Sequence, residues 1–225
     1  MTGPIFPPGF WTAATSFWPD TSNNNWNSVD DAIDFCSQLS EQGFAAICHK
    51  VSEGSYFQDS FWQPVRTWSN ANDLMCFGYH YVTQDDPDAQ AAQWTANGGG
   101  DKAMFDWEAN GGDMNNFWIV AAAFNRAGVQ VQRGYNPKWY WESNGQGDLS
   151  QIPFPISSAY PVGGGGYASD LYAQAGGNNG EGWRPYGGAT PLGWQFTDSA
   201  LVAGKSVDCN GFRGTPPQLQ AALGL

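Results

Sequence analysis

Apolar positions along this chain recur with two periods, and the two alternate. Phe10 to Trp18 reads as a first strand, ending at Pro19-Asp20. Ser28 to Gln42 then places Val29, Ala32, Ile33, Cys36 and Leu39 on one stripe, the spacing of an amphipathic helix. Ser28 with Asp31 is placed as a capping box at its start, and Gly43 as its C-cap. Phe44 to Lys50 is an apolar run of strand length, followed by Ser52-Glu53-Gly54. The pattern repeats: Asp59 to Ala71 is helix-like around Pro64, and Leu74 to Val82 is a strand. Asp86-Pro87 opens another helix, with Asp as N-cap and Pro in the first turn. Lys102 to Glu108 is a buried strand, Asp113 to Ala127 the clearest helix, and Val129 to Arg133 a fifth strand. Pro155 to Ala159 and Leu192 to Phe196 complete the series as shorter strands.

Strands alternating with helices imply parallel βα units. The expectation is an α/β fold, a TIM-like (β/α) barrel, irregular or incomplete in its second half. Residues 163–188 hold ten glycines and read as long loops of the kind that carry function over a barrel. Nothing linker-like breaks the chain between residues 10 and 212, so 1–225 reads as a single domain with its core at about 10–213. Residues 214–225 read as a tail, either a linker or a short closing helix.

Composition narrows the partners. The net charge is −12, which disfavours nucleic acid and anionic membrane surfaces. No apolar run reaches the roughly 18 residues of a membrane span, and Met1 to Phe10 lacks the basic and apolar regions of a signal peptide. Aromatic residues make up 16% of the chain, with 12 Trp, against 13% charged residues. That balance fits carbohydrate recognition by flat rings, although many of these rings must be core. Cys36, Cys48, Cys76 and Cys209 have no zinc-site spacing, and reduced buried thiols are the expected state, with a Cys48–Cys76 bridge left open.

The candidate chemistry centres on Phe105-Asp106-Trp107-Glu108. Side chains alternate along a strand, so Asp106 and Glu108 share a face with Cβ atoms roughly 6.5–7 Å apart. Two carboxyls so placed suit cleavage of a glycosidic bond, where one donates a proton and the other stays ionised. Only His49 and His80 are present, so a zinc amidase would lack ligands, and no metal or cofactor is called for. Cys48 and His49 are adjacent and face opposite sides, while Cys76 and His80 lie roughly 13 Å apart along a strand. Neither pair makes a thiol dyad.

Further motifs run in order from about residue 14 to 213: Trp18-Pro19-Asp20-Thr21-Ser22, Ile47-Cys48-His49-Lys50-Val51-Ser52-Glu53-Gly54, Gly78-Tyr79-His80-Tyr81, Phe105-Asp106-Trp107-Glu108, Ser158-Ala159-Tyr160, Trp194-Gln195-Phe196 and Val207-Asp208-Cys209-Asn210. Together they resemble a family 25 glycoside hydrolase, the Chalaropsis-type lysozymes of phage endolysins and bacterial autolysins. The resemblance implies an enzyme, a muramidase that cleaves the β-1,4 bond between N-acetylmuramic acid and N-acetylglucosamine with net retention. In it Glu108 matches the general acid, Asp106 the carboxylate that assists the anomeric centre, and Asp20 and Asp208 two further pocket acids. Asp106 either attacks the anomeric carbon or orients the substrate's own 2-acetamido group.

Tyr79, Tyr81, Tyr135, Tyr160 and Trp194 sit at or near predicted strand ends, where stacking on sugars and core packing are both open. Gln195 belongs to the same terminal motif. Lys50 is expected either to pair with a pocket acid or to bind a muramic or peptide carboxylate. Glu53 is read as a loop cap or a further pocket acid. His80 is read as a substrate contact or, more commonly, a buried structural histidine. The expected partner is bacterial peptidoglycan, met by a monomer or by one module of a larger lysin. Such a protein is expected to be made in the host cytoplasm without a signal peptide and to act on the wall after release. The other class of function is a non-catalytic wall-binding module on the same barrel.

Overall fold

A computed structural model describes residues 14–225. The start of the expected first strand, Phe10 to Ala13, and the segment Met1 to Phe10 used for the localisation expectation lie outside the described residues.

The elements run β1 (Thr15–Thr21), α1 (Val29–Glu41), β2 (Ala46–Glu53), β3 (Phe57–Gln58), α2 (Trp62–Ala71), β4 (Met75–Tyr81), α3 (Pro87–Ala96) and β5 (Lys102–Asp106). They continue with α4 (Met114–Arg126), β6 (Gln130–Tyr135), α5 (Lys138–Ser143), β7 (Phe154–Ser158), α6 (Ala168–Gln174), β8 (Gly193–Val202), β9 (Lys205–Arg213) and α7 (Pro216–Leu223). The sheet order is β1-β9-β8-β7-β6-β5-β4-β2-β3, and a β1–β2 pairing closes it. Eight strands therefore form a closed barrel ringed by helices, and β3 is an extra strand on the edge of β2. Pairings round the barrel from β1 through β2 and β4 to β8 are parallel, β9 is antiparallel to both of its neighbours, and the extra strand β3 is antiparallel to β2.

Helix signals survive folding. The Ser28 hydroxyl accepts the Asp31 amide, Asp86 caps α3 with Pro87 in its first turn, and Asp113 caps α4. Asp31 does not reach back to Ser28 as a capping box would. Its carboxylate accepts from the Asn27 amide and pairs with Lys205 at 2.9 Å. In α1 the buried face is Ala32, Phe35, Cys36 and Leu39, while Val29 is 46% exposed.

Four expectations are corrected. The first strand does not stop at Pro19-Asp20 but runs on to Thr21. It is paired on both sides, with β9 through Asp20 and with β2 at Asp20 and Thr21, and that pairing outweighs the local preference of Pro for strand ends. Residues 163–188 are not all loop, because Ala168, Leu171 and Tyr172 anchor α6 and two short 3₁₀ turns follow it. Leu192–Phe196 is not the last strand. β8 runs to Val202, turns through Ala203 and Gly204 at φ 47° and 78°, and returns as β9. Positive φ at both turn residues matches the twist of a two-residue hairpin. Finally, α5 follows β6, where none was expected.

The tail takes the closing-helix form. α7 buries Leu219 and Leu223 in the same cluster as Trp18, Phe77, Met104, Phe154 and Ile156 inside the barrel. Lys102 and the buried Arg133 donate to the carbonyls of Gly224 and Leu223 at its end, as cations near a helix C-terminus should. Two further apolar clusters fill the space between strands and helices. The four cysteines are free. Cys48 pairs across to Phe77, and Cys76 to Ile47, so the two thiols sit at neighbouring positions on opposite faces of the sheet.

Candidate active site

At the C-terminal ends of the parallel strands lies a hollow of about 220 Å³. Strand alternation explains what lines it. Along β5 and just beyond, Ala103, Phe105 and Trp107 pack into the outer core, while Met104, Asp106 and Glu108 face the hollow. The strand ends at Asp106, and Trp107 holds the following turn. Its ring is buried against Phe117 and Tyr140, its indole N–H donates to the Gly111 carbonyl at 3.1 Å, and the Gly111 amide donates to the Glu108 carbonyl at 2.8 Å. Glu108 is thus carried on a fixed turn rather than a free loop.

Opposite stand Asp20 and Asp208, direct partners in the β1–β9 ladder. Asp20 Oδ2 accepts from Asn210 Nδ2 at 2.6 Å and from Gln195 Nε2 at 2.9 Å. Gln195 Nε2 also reaches Asp208 Oδ2 at 3.5 Å. Tyr135 donates to Gln195 Oε1 at 2.7 Å, and Tyr160 donates to the same oxygen. The two tyrosines thereby fix which way the Gln195 amide points, with its N–H₂ toward the acids.

Four carboxyls in one hollow cannot all ionise freely. Burial, opposed by the hydrogen bonds of Asn210 and Gln195, leaves Asp20 above its ordinary value. Burial, with the charge of Asp20 added, pushes Asp208 up to about 8. Asp106 is raised well above the carboxylate range, first by burial and then by the charges of Glu108 and Asp20. Its Oδ1 is buried without a hydrogen-bond partner. Glu108 is raised by burial and by Asp20. Lys50 works against the shift in both Asp106 and Glu108. These groups titrate as a set, and the set retains protons at neutral pH.

Of the residues singled out from sequence, Asp20, Lys50, Tyr79, Tyr81, Asp106, Glu108, Tyr135, Tyr160, Gln195 and Asp208 all line this hollow. Trp194 does not. It alternates with Gln195, faces outward, is fully buried, and packs against Tyr172, Trp183 and Phe196. Of its two open readings, core packing is the one realised. Lys50 Nζ pairs with Glu53 Oε2 at 2.7 Å and lies 5.1 Å from the Tyr81 ring centre. Glu53 neither lines the hollow nor caps the loop but receives Lys50 and Tyr56. His80 is buried between Ser52 and Gln90, with burial pushing it down to about 4, so it is a neutral structural histidine. His49 is buried on the outer side with Thr21 and Asp59.

Ser22, Asn24 and Met104 also line the hollow, and Asn210 orients Asp20. Asn210 was legible in the Val207–Asn210 motif, and Met104 in the period of β5. Ser22 was legible as the end of the Trp18–Ser22 motif, and Asn24 carried no signal, because it enters through a 3₁₀ turn in which Ser22 and Asn25 cap each other.

The fold is the one seen in solved family 25 glycoside hydrolase lysozymes. Among solved structures, the chain is similar to a bacterial lysozyme from Streptomyces coelicolor, with a TM-score of 0.72 and 18% identity over 94% of this chain and 98% of that one. A family GH25 lysozyme from Aspergillus fumigatus matches with a TM-score of 0.69 and 20% identity over 93% and 99% of the two chains. The catalytic domain of an endolysin from a bacteriophage of Listeria monocytogenes matches at 0.67 and 15% over 95% and 100%. No sequence family model and no curated protein matches the chain.

Proposed function

We propose that the protein is a peptidoglycan hydrolase, an N-acetylmuramidase that cleaves the β-1,4 bond between N-acetylmuramic acid and N-acetylglucosamine with net retention. The observation that carries this reading is the acid quartet at the barrel mouth, with Asp106 and Glu108 on one face of β5 and its exit. Glu108 holds a proton above the usual carboxylate range and gives it to the departing sugar oxygen. The same group then takes a proton from the incoming water. Asp106 assists the anomeric centre, either by attacking it or by holding the 2-acetamido group in place to attack. Asp20 and Asp208, fixed by Gln195 and Asn210, shape the acid side of the pocket and hold the field in which Glu108 stays protonated. Tyr79, Tyr81, Tyr135 and Tyr160 present rings and hydroxyls to the glycan. No step of this route calls on a metal.

The protein acts as a monomer or as one module of a larger lysin, made in a host cytoplasm and released to the wall. The competing reading, a wall-binding module without catalysis, is disfavoured by four acids gathered in one hollow with Asp20 held by Asn210 and Gln195.

The test is digestion of purified peptidoglycan with mass analysis of the soluble fragments after borohydride reduction. Reduced muramic acid ends are expected. Reduced glucosamine ends would mean a glucosaminidase, free peptide amines alone an amidase, and no release the binding module. Glu108→Gln is expected to abolish wall clearing with the circular dichroism spectrum unchanged. Near-normal clearing by that variant would sink the acid assignment.

A further inference from the structure

Beside the acid hollow lies a second one of about 180 Å³, lined by Lys138, Ser158, Ala159, Glu181, Arg184 and Tyr186 among others. The two share a wall. Ser158 and Ala159 face the second hollow, and Tyr160, the next residue, lines the first. Within the second hollow's lining, Ser157 Oγ donates to the Gly182 carbonyl at 2.5 Å and pins the 181–183 turn against β7.

The charge of this second hollow is opposite to that of the molecule. The chain has nine Lys and Arg against 21 Asp and Glu, yet two of those cations converge here. Arg184 is exposed and makes no ion pair among the described residues. Lys138 reaches only Glu142 at 3.6 Å, with both side chains more than half exposed, a pairing that competes weakly. Glu181 is the one acid on the lining.

We propose that this hollow is a subsite for a carboxylate of the stem peptide borne by a glycan strand lying in the acid cleft. The proposal rests on the muramidase reading, because it is the muramic unit that carries a peptide. A stem that projects sideways from the cleft meets four acids on one side and Arg184 with Lys138 on the other. Like-charge repulsion and the attraction of a guanidinium fork then act in the same direction. The subsite gives an acidic protein a local means of holding an acidic polymer. Glu181 tunes it by opposing the incoming carboxylate.

The experiment compares kcat/KM on stem-bearing peptidoglycan and on the same glycan stripped of its peptides, for the full chain and two surface variants. Arg184→Ala is expected to lower the ratio of stem-bearing to stripped substrate roughly three- to tenfold, the effect of losing about 0.7–1.4 kcal/mol of binding. Glu181→Gln is expected to raise it. An unchanged ratio in both variants overturns the subsite while leaving the muramidase reading intact. A wild-type protein that yields no reduced muramic ends from either substrate removes both.

Discussion

Asp208 faces Asp20 across the β1–β9 ladder, and its proton affinity is a stability statement. Its folded pKa is raised to about 8. Its contribution is therefore fully present below the ordinary carboxylate range and is lost as pH rises through about 8, because the folded state holds a proton the unfolded chain has released. Asp208→Asn keeps a polar group toward Asp20 and removes the titration. Its melting temperature should exceed wild type at pH 8 by about 2–4 °C for each kcal/mol of relieved repulsion, and differ little at pH 3. Melts across that range check this, and equal shifts at both ends would show that ionisation is not the cause. Trp194 makes the opposite case, a residue whose chemistry suggests a sugar platform but whose strand position gives it to the core. Trp194→Ala should cost about 3–5 kcal/mol in denaturant unfolding and leave KM for glycan near wild type at a temperature where the variant is folded. A raised KM with intact stability would return the ring to the substrate. The period of two allows only one of Trp194 and Gln195 to face inward, and sequence alone does not say which.

Elements place these residues. β5 was legible from its apolar run and its Gly-rich exit, and its alternation puts Met104, Asp106 and Glu108 on one face even though the ladder stops at Asp106. β9 was not legible as a strand. Its motif residues were visible, but Lys205, Ser206 and Asp208 dilute the apolar pattern, and its partners β1 and β8 lie at opposite ends of the sheet order without it. α7 was ambiguous for a related reason: Pro216 and Pro217 suit a linker and a helix start alike. Burial decides it. Removing residues 215–225 should lower unfolding free energy by on the order of 3–6 kcal/mol, from Leu219 and Leu223 alone at about 1.5–3 kcal/mol each. It would also strip a carbonyl partner from the buried Arg133. Urea unfolding of the shortened chain measures this, and unchanged stability would make 216–223 a passive tail.

At the scale of the whole molecule, a net charge of −12 would, under the proposed function, meet an anionic wall. Long-range approach is repulsive and screened by salt. The initial rate of wall clearing should therefore rise as salt is added from near zero to about 0.15 M, which turbidity measurements can follow. A steady fall instead would mean that local cations dominate the encounter.

The sequence by itself determined the βα alternation, the helix caps at Ser28 and Asp86, and the shared face of Asp106 and Glu108. All of these follow from periodicity and capping within a few residues. Only the tertiary structure decided that β9 closes the ring antiparallel, that α7 fills its floor, that Trp194 is core and that Lys50 is held by Glu53. It also brought Asp20 beside Asp208, 188 positions away along the chain. Each of these depends on which strand lies next to which, and pairing between distant strands is set by closure of the whole barrel rather than by any local preference.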